Sequence, residues 1–232
     1  EEHGAVYDFF HSGAIGILLE GGVFMWPILI LLILVVAVII ERYRSLKLLE
    51  TDPSELREEV IALLSEDKVE ESLRLCDRSR GPVPAILSNG LRKYLVLRRL
   101  KYDEAQLEQQ VIKSMENYGV HIVAALERHL PVLGTVSSAA PMLGFLGTVA
   151  GMITSFKDIV EQMGEKNIVE SASQGISQAL LTTCFGLIVG IPAFMAFNYF
   201  TSVINSYVLD VEESATELIE TVTQEMALSQ QS

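Results

Sequence analysis

Apolar residues in this chain do not recur evenly. They gather into three blocks that carry no charge: Gly21–Ile40 with 20 residues, Pro131–Phe156 with 26 and Ser171–Ser206 with 36. A helix crosses the hydrocarbon core of a bilayer with roughly 20 apolar residues. Each block therefore predicts a transmembrane helix, and the third is long enough to continue past the membrane. The chain left over is too short to build a soluble domain that would bury all three.

Between the blocks the pattern changes to helical periodicity. Residues 5 to 19 place Val6, Phe9, Phe10, Gly13 and Ile17 at helical spacing, which predicts a short amphipathic helix on the membrane surface. Asp52-Pro53-Ser54-Glu55 reads as a helix start, followed by Leu56, Val60, Leu63 and Leu64 on one face. A second short helix follows Asp67, burying Val69, Leu73 and Cys76. Gly81-Pro82-Val83-Pro84 ends it, and a third runs from about Pro84 to Leu100. Asp103 opens a long helix with Leu107, Val111, Met115, Ile122, Leu126 and Leu130 on its apolar face. It is expected to run into the second span, with Pro131 and Pro141 as bends. Beyond the third span, Val208, Val211, Ala215, Leu218 and Val222 form a heptad-like seam. The fold class predicted is an all-α integral membrane protein whose second and third spans extend into a helical bundle.

Charge adds orientation. The chain is half hydrophobic yet carries a net charge of -13, so its apolar content is segregated rather than spread. Fifteen of the 17 Lys and Arg residues lie between Arg42 and Arg128. Positive loops stay on the cytoplasmic side, which places the N-terminus outside, the central segment inside, the hairpin outside and the C-terminal tail inside. Trp26, Arg42 and Arg44 are the expected interface anchors. The first 20 residues lack the basic start of a secretory signal. Cys76 and Cys184 lie in a polar and an apolar segment and are expected to remain unpaired.

The candidate chemistry lies in the second and third spans. Gly144, Gly147 and Gly151 in the one, and Gly186 and Gly190 in the other, include two small-xxx-small motifs that allow close helix packing. Between them stand Thr148, Ser177, Gln178, Thr182 and Thr183. Counting outward from the hairpin midpoint near Gly164 and Glu165 sets Thr148 and Thr183 at the same depth, because both helices rise ~1.5 Å per residue. The first span, nearly all Leu, Ile and Val after Pro27, is expected to face lipid. No Asp, Glu, Lys, Arg or His falls inside a span, so a titrating group for proton transfer has to come from another chain. Ser137, Ser138, Thr182 and Cys184 have no buried base to activate them, which argues against an enzyme. There is no phosphate-binding glycine loop, no metal-ligand spacing and no basic aromatic patch for nucleic acid.

Pro141-Met142-Leu143-Gly144-Phe145-Leu146-Gly147-Thr148-Val149 and Gly175-Ile176-Ser177-Gln178-Ala179-Leu180-Leu181-Thr182-Thr183, with Gly186-Leu187 and Ile191-Pro192-Ala193, resemble the signature spans of the ExbB/TolQ/MotA proton-channel family. Gly21-Gly22, Met25-Trp26-Pro27-Ile28-Leu29 and Glu41-Arg42 resemble the first span of ExbB-like members. The resemblance implies a homopentameric ring around a dimer of a single-span partner of ExbD or TolR type, whose membrane aspartate carries the proton. A TonB- or TolA-like protein would transmit the work. It implies residence in the bacterial inner membrane among lipid, no cofactor, and a translocated proton with sodium as the alternative ion. Thr148, Thr183, Gln178, Thr182 and Ser177 would line the ion pathway. Gln178 stands where many ExbB and TolQ members have glutamate. The segments expected are a periplasmic amphipathic helix (1–20), the first span (21–41), a cytoplasmic helical domain (42–130), the second span (131–157), a periplasmic hairpin (158–173), the third span (174–205) and a cytoplasmic helical tail (206–232). Two other functions fit a three-span chain: a flagellar-stator-like subunit, though such members usually have four spans, and a scaffold that conducts nothing.

Overall fold

The computed structural model describes residues 22–47, 53–161 and 168–229, all helix or short connection. The helices are α1 (Met25–Lys47), α2 (Pro53–Ser65), α3 (Val69–Arg78), α4 (Pro82–Arg99), α5 (Glu104–Leu126), α6 (Leu130–Glu161) and α7 (Ile168–Ser229). Among the described residues there is no strand. Three helices are long and apolar enough to cross a membrane: α1, α6 and the apolar part of α7. The amphipathic segment expected over residues 5 to 19, and the hairpin midpoint, lie outside the described residues.

The chain divides into two compact regions. One joins the chain up to Glu41 with His129–Tyr199; the other joins Arg42–Arg128 with Phe200–Ser232. The first contains the three apolar spans. In α1, Met25, Ile28, Val35 and Val38 are buried, while Trp26, Ile30, Ile33 and Val36 are exposed. The first span is thus not wholly lipid-facing, as its composition suggested: residues three and seven apart put one strip of its surface against protein.

The second region has an ordinary aqueous core. Val60 and Leu64 of α2, Val69 and Cys76 of α3, and Ile86, Leu87, Leu91 and Tyr94 of α4 are buried together. Leu107, Val111 and Met115 of α5 join them, as do Val211, Leu218 and Val222 of α7, so the predicted seam is a core-facing stripe. Positive φ at Asp67 (58°) and Gly81 (141°) makes the two tight connections that bring α2, α3 and α4 together. On the surface, Arg57 pairs with Glu213 at 2.9 Å and Glu217 at 3.0 Å, linking α2 to α7. Asp77 accepts from Ser88 Oγ at 2.7 Å and from Arg92 at 2.9 Å.

The continuous helix expected from Asp103 into the second span is interrupted. The helix α5 ends at Leu126, His129 takes a left-handed φ of 70°, and α6 begins at Leu130. Pro131 does not bend a helix interior; it sits in the first turn of α6, where an amide N–H would have no helical acceptor. Pro141 lies inside α6 and Pro192 inside α7, as expected of prolines in spans. By contrast α7 runs unbroken for 62 residues.

Candidate functional site between the second and third spans

The glycines place the site. A Cβ on Gly186 would stand 2.6 Å from the Ala140 carbonyl oxygen, and one on Gly144 would stand 3.0 Å from the Thr182 oxygen and the Thr183 Cα. Backbone therefore meets backbone across α6 and α7, an approach that no side chain allows. Gly147 and Gly151 close on Thr182 and Ala179, and Gly190 on the Pro141 ring. All five glycines singled out for helix packing are used within one chain.

This approach brings Thr148 and Thr183 together at one level. Their hydroxyls touch each other. Thr148 Oγ1 is 3.0 Å from the Ala179 carbonyl and 3.3 Å from that of Gly144 on its own helix; Thr183 Oγ1 donates to Gly144 O at 3.1 Å. The commonest fate of a membrane threonine, bonding back to its own helix, is only part of the pattern here. Both side chains are half-buried, and they lock the two spans in register.

The other three polar candidates separate from this pair. Thr182 is 2% exposed and donates to Gln178 O at 2.9 Å. Gln178 packs over the turn that precedes α1: its Nε2 occupies the space a Cβ on Gly22 would need, and Gly22 has a φ of 70°. Ser177 is exposed, about 100° around the helix from Gln178. The five residues expected on one pathway thus fall into a central pair, a buried wall and an outward-facing hydroxyl.

Gln178 and Thr182 share the wall of a 320 Å³ cavity formed by α6, α7 and the turn that precedes α1. Its other polar contributors are Thr154, Ser155, Asp158 and Gln174. Ser155 is 2% exposed, donates to Gly151 O at 2.9 Å and packs directly on Gly175. Three features of this cavity escape sequence reasoning. Asp158 lies one residue beyond the predicted end of the second span, so a search for charge inside the spans passes it over. Ser155 carries the signal of helical spacing with Gly151 and Asp158. The Gly22 turn has no pattern that ties it to the third span.

At the interface, Trp26 is 55% exposed and Arg44 is exposed. Arg42 differs from expectation: it is 4% exposed, and Nη1 donates to the Leu126 carbonyl at 3.0 Å. A cation at the C-terminal end of α5 meets unsatisfied carbonyls and the negative end of the helix dipole, which explains its burial. Glu41 and His129 form an exposed pair at 3.2 Å. Among the described residues no cluster of His, Cys, Asp or Glu has metal-binding geometry. Both cysteines are free thiols. Burial pushes the Cys76 thiol up to about 12, which keeps it protonated and unreactive.

The sequence also matches a known family and several of its named members. The family described as the MotA/TolQ/ExbB proton channel family matches residues 78–213. The "Biopolymer transport protein ExbB" of Aquifex aeolicus is 33% identical over 128 residues, covering 54% of this chain and 76% of that protein. That of Salmonella typhimurium is 33% identical over 101 residues, covering 42% of this chain and 41% of its own length. The "Tol-Pal system protein TolQ" of Pseudomonas aeruginosa is 38% identical over 77 residues, 33% of this chain and 32% of that protein. The chain therefore spans three quarters of one relative and less than half of the other two.

Proposed function

Because the chain belongs to the MotA/TolQ/ExbB proton channel family, we propose that it is the channel and motor subunit of an inner-membrane complex that couples the proton motive force to outer-membrane transport or integrity. The observation that carries this reading is the Thr148–Thr183 pair. Two hydroxyls meet across glycine-packed spans, and the apolar blocks contain no titratable carboxylate of their own. Such a level can offer hydrogen bonds to a charge that moves past it but cannot itself carry a proton at neutral pH. The carrier is then an aspartate on a single-span partner of ExbD or TolR type, present as a dimer within a pentameric ring of this chain. A TonB- or TolA-like protein takes up the motion. The basic central segment faces the cytoplasm, and the N-terminus and hairpin face the periplasm. Each proton crossing 100 mV releases roughly 2.3 kcal/mol, so a few protons per step suffice to repack a helix interface.

The surface of the spans agrees with a ring. In their most apolar windows only 28%, 22% and 28% of residues are buried in a single chain, leaving broad faces for lipid and neighbouring subunits. Leu180, Phe145 and Met142 are examples of large apolar residues left uncovered. The experiment is co-purification with the single-span partner and mass measurement of the intact complex, with proton uptake into proteoliposomes as the functional readout. Five copies of this chain with two of the partner is the expected result; a stable monomer that ignores the partner sinks the ring. If Gln178→Leu and Thr183→Val both leave proton uptake unchanged, the pathway assignment is wrong.

A further inference from the structure

The aqueous bundle leaves a groove open between α5 and α7. Its volume is 820 Å³, within the ~300–1,000 Å³ that binding pockets span. The lining recurs at spacings of three and four from Ile112 to Glu127 on α5 and from Val208 to Ile219 on α7, so one continuous face of each helix looks into the groove. The α5 face covers about four turns, ~22 Å. Ile86, Met115 and Val211 are buried at its floor, and Val120 stands at the lip, 69% exposed. Val208 and Ala215, two residues of the predicted seam, line it half-buried. Gly119 keeps the middle clear: a Cβ there would touch Ile86 Cδ1 at an ordinary 3.6 Å, so the space beyond the glycine is open.

Three carboxylates, Glu116, Glu127 and Glu212, are exposed along the same lining. An apolar strip bordered by acids is the complement of a helix that carries apolar residues at i, i+3, i+4 and i+7 with basic residues beside them. We propose that the α5–α7 groove docks a short basic amphipathic helix from another polypeptide, its apolar residues over Gly119 and Val120 and its Lys or Arg residues against Glu116, Glu127 and Glu212. Charge argues against two other occupants. Anionic lipid headgroups are repelled by the same carboxylates. At this level of α7, where Arg57 of α2 pairs with Glu213 and Glu217, the exposed surface of α2 carries Glu58 and Glu59, so a second copy presenting that level would set acid against acid. Nothing in this docking depends on the channel reading.

Peptide binding to the full chain in phosphatidylcholine nanodiscs tests it, with empty discs as the blank. The probe is a fluorescein-labelled helical peptide of about 14 residues, matched to the groove's length, with leucines on one face and lysines on the other. Its counterpart has glutamate for every lysine. Fluorescence anisotropy should show saturable binding of the lysine peptide above the blank and none of the glutamate peptide. Glu116→Lys combined with Glu212→Lys should weaken binding about tenfold, and added salt should narrow that gap. Both glutamates are exposed, so this variant keeps the bundle core. Gly119→Leu, which fills the middle of the groove, should weaken binding about tenfold as well, with urea unfolding by circular dichroism checking that the bundle is intact. Equal binding of the two peptides, or an affinity unmoved by both the charge reversal and Gly119→Leu, overturns the proposal. So does lysine-peptide binding no greater than that of empty discs, which gives the peptide to the lipid. A Gly119→Leu variant that leaves peptide affinity unchanged but lowers the mass of the intact complex gives the groove to a second copy and likewise overturns it.

Discussion

The two regions of this molecule solve helix packing by opposite means. In the bundle of α2 to α5 and the end of α7, large side chains fill the space: Leu64, Leu87, Leu91 and Met115 are each no more than 1% exposed. In the spans, α6 and α7 are held by what is missing, because Gly144 and Gly186 bring backbones into contact. The difference follows from the solvent. Water drives leucines together at about 25 cal/mol per Å² of apolar surface buried. Lipid tails are as apolar as leucine, so in the membrane only close contact and interhelical hydrogen bonds remain. One region is therefore vulnerable to deletion of volume and the other to its addition.

The strongest way to break that comparison is to add volume in the membrane. Gly186→Val places branched carbons against the Ala140 carbonyl and the Gly144 Cα, neither of which can swing aside. The α6–α7 pair should not form, and folded protein should be absent from detergent extracts by size-exclusion chromatography. A normally folded variant would show that the spans do not depend on this approach. Next in size is the reverse change in the bundle. Leu91, fully buried, becomes alanine at a cost of about 2–5 kcal/mol. Urea unfolding followed by circular dichroism reads that loss. Gly90→Ala is the internal control: its Cβ would meet Met115 Sδ at 2.5 Å, the far part of a flexible side chain that can move, so its effect should be much smaller than that of Gly186→Val.

Much of this contrast is legible in the sequence, for physical reasons. Span count follows from block length, and the shared depth of Thr148 and Thr183 follows from the constant rise of a helix. The bundle core follows from periodicity, down to Val211, Leu218 and Val222. What periodicity does not fix is rotation of one helix about its axis relative to another. That rotation sends Gln178 and Thr182 to a cavity, Ser177 outward and the threonines to each other. The break before α6 is missed because a left-handed histidine carries no clear signature, although Pro131 is well suited to a helix start. Arg42 reads as an interface anchor because basic residues at span ends commonly are; only the position of the α5 terminus shows that it caps carbonyls instead.

A smaller effect sharpens the role of hydrogen bonding in the membrane region. Thr183→Val keeps the shape and removes the donor to Gly144 O. Interhelical hydrogen bonds in a bilayer average about 0.6 kcal/mol, so stability should fall by no more than about 1.7. Proton uptake should fall about tenfold, equivalent to ~1.4 kcal/mol on the barrier and more than the average bond contributes to stability. Thr183→Ser, which restores the hydroxyl, should recover most of it. Equal losses in the serine and valine variants would assign Thr183 to packing alone.

The smallest expected effect lies in the bundle, where ion pairs face water. Hydrogen bonds from Arg92 and Ser88 hold the Asp77 carboxyl below its ordinary value. A carboxyl with a lowered folded-state pKa favours folding in its ionised form. Its contribution is complete above the ordinary aspartate value near 3.9 and is lost as pH falls from there through the lower folded value. The pair is well exposed, at 40% for Asp77 and 62% for Arg92, so solvent and salt weaken it. Asp77→Asn should therefore destabilise the bundle slightly at neutral pH. The gap to the parent protein should be constant above about pH 5 and close below about pH 4. Urea unfolding at a series of pH values reads it, and added salt should shrink it. No comparable step is expected from the interior of the spans, where Thr148 and Thr183 do not titrate. A gap that stayed constant through the acid range would mean that Asp77 acts through shape and neutral hydrogen bonding, and that the bundle owes nothing to this charge.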